Sequence, residues 1–430
     1  METDGSLLSL IKELYPICRS ITGEGVRETL RVIRKRIPLE VHEVPSGTKV
    51  FDWTVPLEWN VADAYVMDRA GRRVIDFQAH NLHLMSYSVP VRKTMSLEEL
   101  RPHLFSLPAH PEWIPYRTSY YKENWGFCLR HTDFEQLSDE KYEVMIDSTL
   151  QAGSLTYGES YLPGEMADEV LVSCHVCHPS LCNDNLSGIA VAAKLVETMA
   201  ARSRRYSYRF LFIPGTIGSI TWLAQNEQAV SRIRHGLVIT GVGDAGGVTY
   251  KKSRQGNTEI DRAMTHVLRH SGESHTVIDF FPYGYDERQY CSPGFNLPVG
   301  CFMRTPHGQY PEYHSSADNM DLIRSESLFR SYRHCLHVFE LLEGNRVYVN
   351  QSSKCEPQLG RRGLYRAVAG QQENQSRELA LLWVLNMSDG GHTLLDIADR
   401  ADLPFSQVRS AADALVEAGL LIECRRPGNA

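Results

Sequence analysis

The chain has 430 residues, more than one ordinary domain accommodates, so two or three domains are expected. A formal net charge of −7 speaks against broad binding to nucleic acid or to anionic membranes, and 42% hydrophobic with 23% charged residues is the composition of a soluble globular protein. No apolar run approaches the roughly 20 residues of a membrane span.

The opening "METDGSLLSLIKELYPICRS" carries acids where a signal peptide needs a basic start. Its pattern predicts an amphipathic helix over about 5–19, with Leu7, Leu8, Ile11, Leu14 and Tyr15 on one face. The ten cysteines are scattered, which in a long chain of this kind points to reduced thiols and a cytoplasmic location. A second helix over about 24–37 follows the turn Thr22-Gly23-Glu24-Gly25. "LEVHEVPSGTKVFDWTVP" alternates like a strand, and "DAYVMDRAGRRVIDFQ" predicts a hairpin around Ala70-Gly71. Residues 92–125 are rich in Pro, His and aromatics and read as an irregular excursion.

From about 126 short apolar strands alternate with helices. "YEVMID", "EVLVSCH", "YRFLFIP", "HGLVITGVG" and "LPVGCFM" read as strands, with helices near 185–201, 217–229, 257–270 and 325–343. This predicts an α/β domain on a mostly parallel sheet, whose sites gather where strands end. The last segment reads as three helices and a short β end, a winged helix. The expected domains are an α/β domain over 1–46 and 126–372, a β-rich insert over 47–125, and a winged helix over 373–430.

The chemistry concentrates in "LVSCHVCHPSLCNDNLSGIAVAAKLVETM". Its strand delivers His175 at the C-terminal end. Asp184 falls just before the next helix, where the positive end of the helix dipole favours an ionised carboxylate. Imidazole with carboxylate suits zinc, although a structural His–Asp hydrogen bond is the commoner use of such a pair. Asp244 ends another strand and His314 lies in a Tyr-rich loop; as a turn residue and a loop histidine they also have ordinary readings.

Strand–His, Asn-Asp-Asn-x-Ser-Gly, a strand-end Gly-Asp and Tyr-His-x-x-x-Asp together resemble the zinc aminopeptidases of the leucyl aminopeptidase and glutaminyl cyclase type. "VFDWTVPLEWN", "NLHLMSYSVPV", "DERQYCSPGFNLPVG" and the C-terminal winged helix look closer still to bacterial aminopeptidase-like proteins associated with polysaccharide biosynthesis. The resemblance spans essentially the whole chain. It implies that His175 and Asp244 bind a first metal, that Asp184 bridges, and that His314 serves a second. Cys177 stands where those enzymes carry an Asp, which leaves His178 as either a substitute ligand or a supporting group.

The same enzymes follow their next strand with two glutamates, a general base and a metal ligand. Here "IPGTIGS" puts Gly215 and Thr216 at those positions. Thr is a poor ligand beside a carboxylate, so one Zn2+ per chain is expected. A glycine takes no proton, and a general base typically contributes about 10²–10⁴-fold. Asp286, Glu287 and Glu312 are candidate replacements, Glu287 first among them, each with a structural reading of equal weight. Tyr283, Asp286, Arg288, Arg304 and Tyr313 are candidate substrate contacts, with salt bridges and packing as their ordinary roles.

Residues 373–430 carry five arginines against nine acids, a balance of −4. The recognition helix expected near 405–418 has one Arg and two acids, too little positive charge for phosphate neutralisation. A packing or dimerisation module, and with it a homo-oligomer, fits better than a DNA-binding regulator. The expected function is a zinc-dependent amide or peptide hydrolase acting on a small aminoacyl or peptide substrate. The alternative is a metal-binding pseudopeptidase that holds such a ligand, or runs a non-hydrolytic reaction at the same site.

Overall fold

A computed structural model describes residues 5–364 and 372–424, and these form two compact units. The first comprises the chain up to Thr258 together with Ser274–Arg333. Its frame is an eight-stranded sheet: β1 (Glu40–Pro45), β2 (Ser154–Leu162), β3 (Glu169–His175), β4 (Ser207–Ile213), β5 (Ile233–Ile239), β6 (Val248–Lys251), β7 (His275–Ile278) and β8 (Val299–Met303). The spatial order is β1-β2-β4-β3-β5-β8-β6-β7. β4, β3, β5 and β8 run parallel, β1 and β2 pair antiparallel at one edge, and β6 joins β8 antiparallel with β7 alongside it. Every residue of β3 and β4 is buried, as central strands covered on both faces require. The α/β expectation therefore holds.

Helix α1 (Gly5–Leu14) buries Leu7, Leu10, Ile11 and Leu14, while Leu8 and Tyr15 of the expected face are only half-buried. α2 (Glu24–Arg34) starts where the Gly23 turn directs it. α3 (Gly188–Ala200) packs on β3, and α4 (Ile217–Gln225) follows β4 directly. Between β1 and β2 the chain forms a second, antiparallel sheet in the order Arg73–Asp76, Glu58–Met67, Lys141–Gln151, Val91–Ser96. The hairpin around Ala70-Gly71 forms as expected, with Gly71 at φ +78. "YEVMID", expected in the α/β sheet, belongs instead to this antiparallel sheet. Its burial alternates along the strand, which is the pattern of a sheet with one covered face.

The second unit comprises Glu259–Glu273 and the chain from His334 onward. Helices Gln372–Met387, Leu394–Ala401 and Phe405–Glu417 accompany a three-stranded antiparallel sheet. The middle strand of that sheet is Val347–Asn350, flanked by Asp389–Thr393 and Leu421–Cys424. Thr393 and Asp396 form a reciprocal cap at the start of the second helix. Within this unit His266, on helix Glu259–Arg269, lies 2.8 Å from Asp399 and accepts the Phe405 N–H at 3.0 Å. Arg425 and Arg426, two of the five arginines counted above, fall outside the described residues. Among the described residues no helix is long and apolar enough to cross a membrane.

Candidate metal centre

β3 ends on His175, and the chain then runs through 176–181 into the turn Cys182–Ser187, from which α3 departs. All six residues of this turn are buried. The backbone N–H groups of Asn183 and Asp184 donate to the Asp318 carboxyl at 2.5 and 3.0 Å, which fixes the Asp184 side chain against the end of β3.

Three histidines surround that side chain. His175 Nε2 lies 2.8 Å from Asp184 Oδ1. His314 Nε2 lies 3.0 Å, and His178 Nδ1 3.6 Å, from Oδ2. One ligand atom from each of His175, His178 and Asp184 falls within 4.8 Å of the others. Burial alone would raise the Asp184 carboxyl; the surrounding imidazoles, His178 first, hold it well below the usual carboxylate range instead. Burial pushes His178 down to about 3, so that its imidazole is neutral at neutral pH. His178 Nδ1 is itself buried and, among the described residues, without a hydrogen-bond partner.

Aromatic rings hold these imidazoles. Tyr285 stacks on His175 at 5.3 Å between centroids and Tyr313 on His314 at 3.9 Å. Tyr116 meets both His178 and His314 edge-on, and its N–H donates to the His314 carbonyl. Tyr116 comes from the stretch read as an irregular excursion. It and Tyr285 are neighbours of the site that the sequence reading did not name, since each stands in a loop without periodicity, whereas Asp318 is the last residue of the Tyr-His-x-x-x-Asp pattern.

The other expected residues divide. Asp244 lies outside the group of three candidate ligands: its carboxylate accepts from Asn183 Nδ2, Thr305 Oγ1 and the Gly246 N–H. Gly215 stands beside the site, its N–H 3.3 Å from Cys177 Sγ. A Cβ built there would lie 3.6 Å from Cys177 Sγ and from His175 Cβ, ordinary contact distances. Thr216 follows at φ +61, and its N–H donates to Asp286 at 2.6 Å. Asp286 is buried, which raises its carboxyl above the usual range. Glu287 is buried in an ion pair with Lys251, whose ammonium also donates to the carbonyls of Phe281 and Tyr283. Arg304 is buried and donates to the Gly246 carbonyl. Tyr283 is 64% exposed beside His307, and Arg288 is half-buried; neither has a described contact with His175, His178 or Asp184. Glu312 caps the His314 loop through its carbonyl, which accepts from Ser315.

The chain is 54% identical over 420 residues to a Clostridium acetobutylicum protein named provisionally as a polysaccharide biosynthesis protein with an aminopeptidase-like domain, covering 98% of this chain and 96% of that one. The crystal structure of a protein from the same organism, provisionally called a peptidase, superposes with a TM-score of 0.94 at 53% identity, over 98% of this chain and 96% of its own. The zinc aminopeptidase BSAP from Bacillus subtilis shares the fold alone, with a TM-score of 0.57 at 14% identity over 80% of this chain and 96% of that one. Residues 346–423 match the winged helix-turn-helix. Residues 8–345 match the family described as a domain of unknown function (DUF4910), and to that family, with its aminopeptidase-like fold, the chain belongs.

Proposed function

We propose that the protein is a metal-dependent hydrolase of the aminopeptidase type, acting on an amide or peptide bond of a small aminoacyl or peptide substrate. The observation that carries this reading is the orphaned, buried Nδ1 of His178, held with His175 and Asp184 in one cluster. Two imidazoles and a carboxylate are a donor set suited to zinc. His175, His178 and Asp184 would hold the ion, with His314 on the second oxygen of Asp184. When bound, zinc would polarise a substrate carbonyl and lower the pKa of water.

The remaining tasks fall to the chain itself. Tyr285 and Tyr313 fix the ring planes of His175 and His314 and keep bulk water from their faces. Among the carboxyls named as substitutes for the missing base, Glu287 is committed to Lys251, whereas Asp286 is bonded to the residue after Gly215. Asp286, whose carboxyl burial raises above the usual range, is the better placed of the two to take up a proton at the site. Thr216, in place of a second glutamate, supports one zinc per chain.

A second reading is favoured by Gly215 itself: a metal-binding pseudopeptidase that retains the ligand but cleaves slowly or not at all. Elemental analysis of native, His175→Ala and Asp184→Ala proteins, beside assays on a panel of aminoacyl amides and dipeptides, tests both. About one zinc in the native protein alone, with turnover that Asp286→Asn abolishes, is the expected result. Zinc without turnover would select the pseudopeptidase, and native protein without any transition metal would dismiss both readings.

A further inference from the structure

The turn after β5 joins two places. Asp244 is bonded to Asn183, neighbour of the candidate ligand Asp184, while the next residue, Ala245, lines a cavity of about 570 Å³. None of His175, His178 and Asp184 lines this cavity; Arg304, Arg324 and Arg330 do. We infer that it is a binding site for the phosphate group of a small anionic ligand.

The charge is one-sided. Glu326 is the single acid in the lining, against three guanidinium groups. Arg304 is 4% exposed and held in place by its bonds to the Gly246 carbonyl and to Ser331 Oγ. Arg324 and Arg330 are exposed, and neither forms an ion pair among the described residues; the Arg324 guanidinium donates to the backbone carbonyl of Asp321. Arg324 also borders a neighbouring cavity of about 370 Å³ that contains Glu112, Glu312 and Asp321, so Arg330 is the cleaner probe.

The cluster also sits at an electrostatically awkward place. Arg324 immediately precedes the 20-residue helix Ser325–Gly344, where the peptide dipoles are already positive and acids are the usual occupants, and Arg330 follows in its second turn. An anion offsets both sources of positive potential. A carboxylate is satisfied by one guanidinium fork, whereas several forks and the Ser325 and Ser327 hydroxyls suit the three oxygens of a phosphate dianion. The volume lies in the range of small-molecule sites, roughly 300–1,000 Å³, and exceeds what inorganic phosphate fills. The ligand class is therefore a phosphate monoester or diphosphate of a small organic group.

The test is calorimetric titration of the full chain with inorganic phosphate and with methyl phosphate at low ionic strength. Native protein is compared with Arg330→Gln, with Arg324→Gln/Arg330→Gln, and with Arg69→Gln, which removes a charge from the exposed hairpin. The expected result is saturable binding that Arg330→Gln weakens by about tenfold or more, that the double variant abolishes, and that Arg69→Gln leaves unchanged. Acetate should bind at least about tenfold more weakly than phosphate. Equal affinity in native and Arg330→Gln protein would overturn the inference, as would acetate binding as tightly as phosphate. Phosphate binding that survives Arg330→Gln but disappears in His175→Ala would place the anion at the metal centre and overturn it likewise.

Discussion

Gly215 is where one hydrogen atom decides what the site can do. The position lies in ordinary contact distance of His175 Cβ, and its φ is outside the left-handed region, so a Cβ there meets neither clash nor backbone strain. Gly215→Glu should therefore place a carboxylate beside the candidate metal ligands. Hydrolysis of aminoacyl amides should rise by about 10²–10⁴-fold, the typical worth of a general base, in a paired assay with metal content checked in both proteins. Activity already high in the native protein and lost in Asp286→Asn would show that Asp286 is a sufficient base and would reduce the gain from Gly215→Glu. Asp184→Ala should remove the metal while leaving far-UV circular dichroism unchanged; retained metal would mean that the ligands lie elsewhere. His175, Asp184 and His314 were legible in the sequence because a strand end, a helix start and a linear motif mark them. Asp244 was equally marked, yet Asn183, Thr305 and Gly246 surround its carboxylate, and such neighbours have no sequence signature.

Polar contacts join elements that are far apart in the chain, and two of them can be weighed. Arg27 of α2 holds Glu58, in the second sheet, at 2.6 Å and Glu43, in β1, at 2.7 Å. The hydrogen bonds from Arg27 lower the Glu58 carboxyl to about 2. A carboxyl depressed on folding contributes stability above its unfolded value, near 4.5, and that contribution is lost as pH falls towards about 2. Arg27→Met should cost about 1–3 kcal/mol at neutral pH and flatten the acid limb between pH 4.5 and 2, read from urea unfolding across that range. An unchanged limb would assign the shift to other contacts. Lys251 of β6 and Glu287 are both buried, so Lys251→Met strands a carboxylate and should cost about 3–5 kcal/mol, much of it recovered in Lys251→Met/Glu287→Leu. No recovery in the double variant would refute the pairing argument. Long apolar strands such as β3 and β4 were readable from the sequence. β2, interrupted by Gly158 and Glu159, and the four-residue β6 and β7 were not, because neighbouring strands rather than their own pattern create them.

At the scale of the whole chain, the winged helix-turn-helix poses the question of nucleic acid. Its three helices were readable from the sequence, but the middle strand of its sheet, Val347–Asn350, is too short to announce itself and lies upstream of the segment read as the domain. Fold alone does not make this module a DNA reader. Sequence-independent affinity comes from Lys and Arg that displace counterions from phosphates. Helix Phe405–Glu417 offers one candidate, Arg409, against Asp413 and Glu417. Arg409 is already engaged: its guanidinium donates to the Glu340 carbonyl at 3.3 Å, at the C-terminal end of helix Ser325–Gly344, where a positive charge is favoured by the helix dipole. Swinging it onto a phosphate would break that bond, and the chain as a whole, at −7, would repel the duplex. Full-length protein should therefore show no measurable binding to mixed-sequence duplex DNA in fluorescence anisotropy at physiological salt, with at most a weak component at low salt whose log–log slope corresponds to one or two phosphate contacts. Arg409→Gln should lower thermal stability without changing that DNA result. Submicromolar binding at physiological salt, lost in Arg409→Gln, would show that the helix reads DNA and that its acidic neighbours do not prevent it.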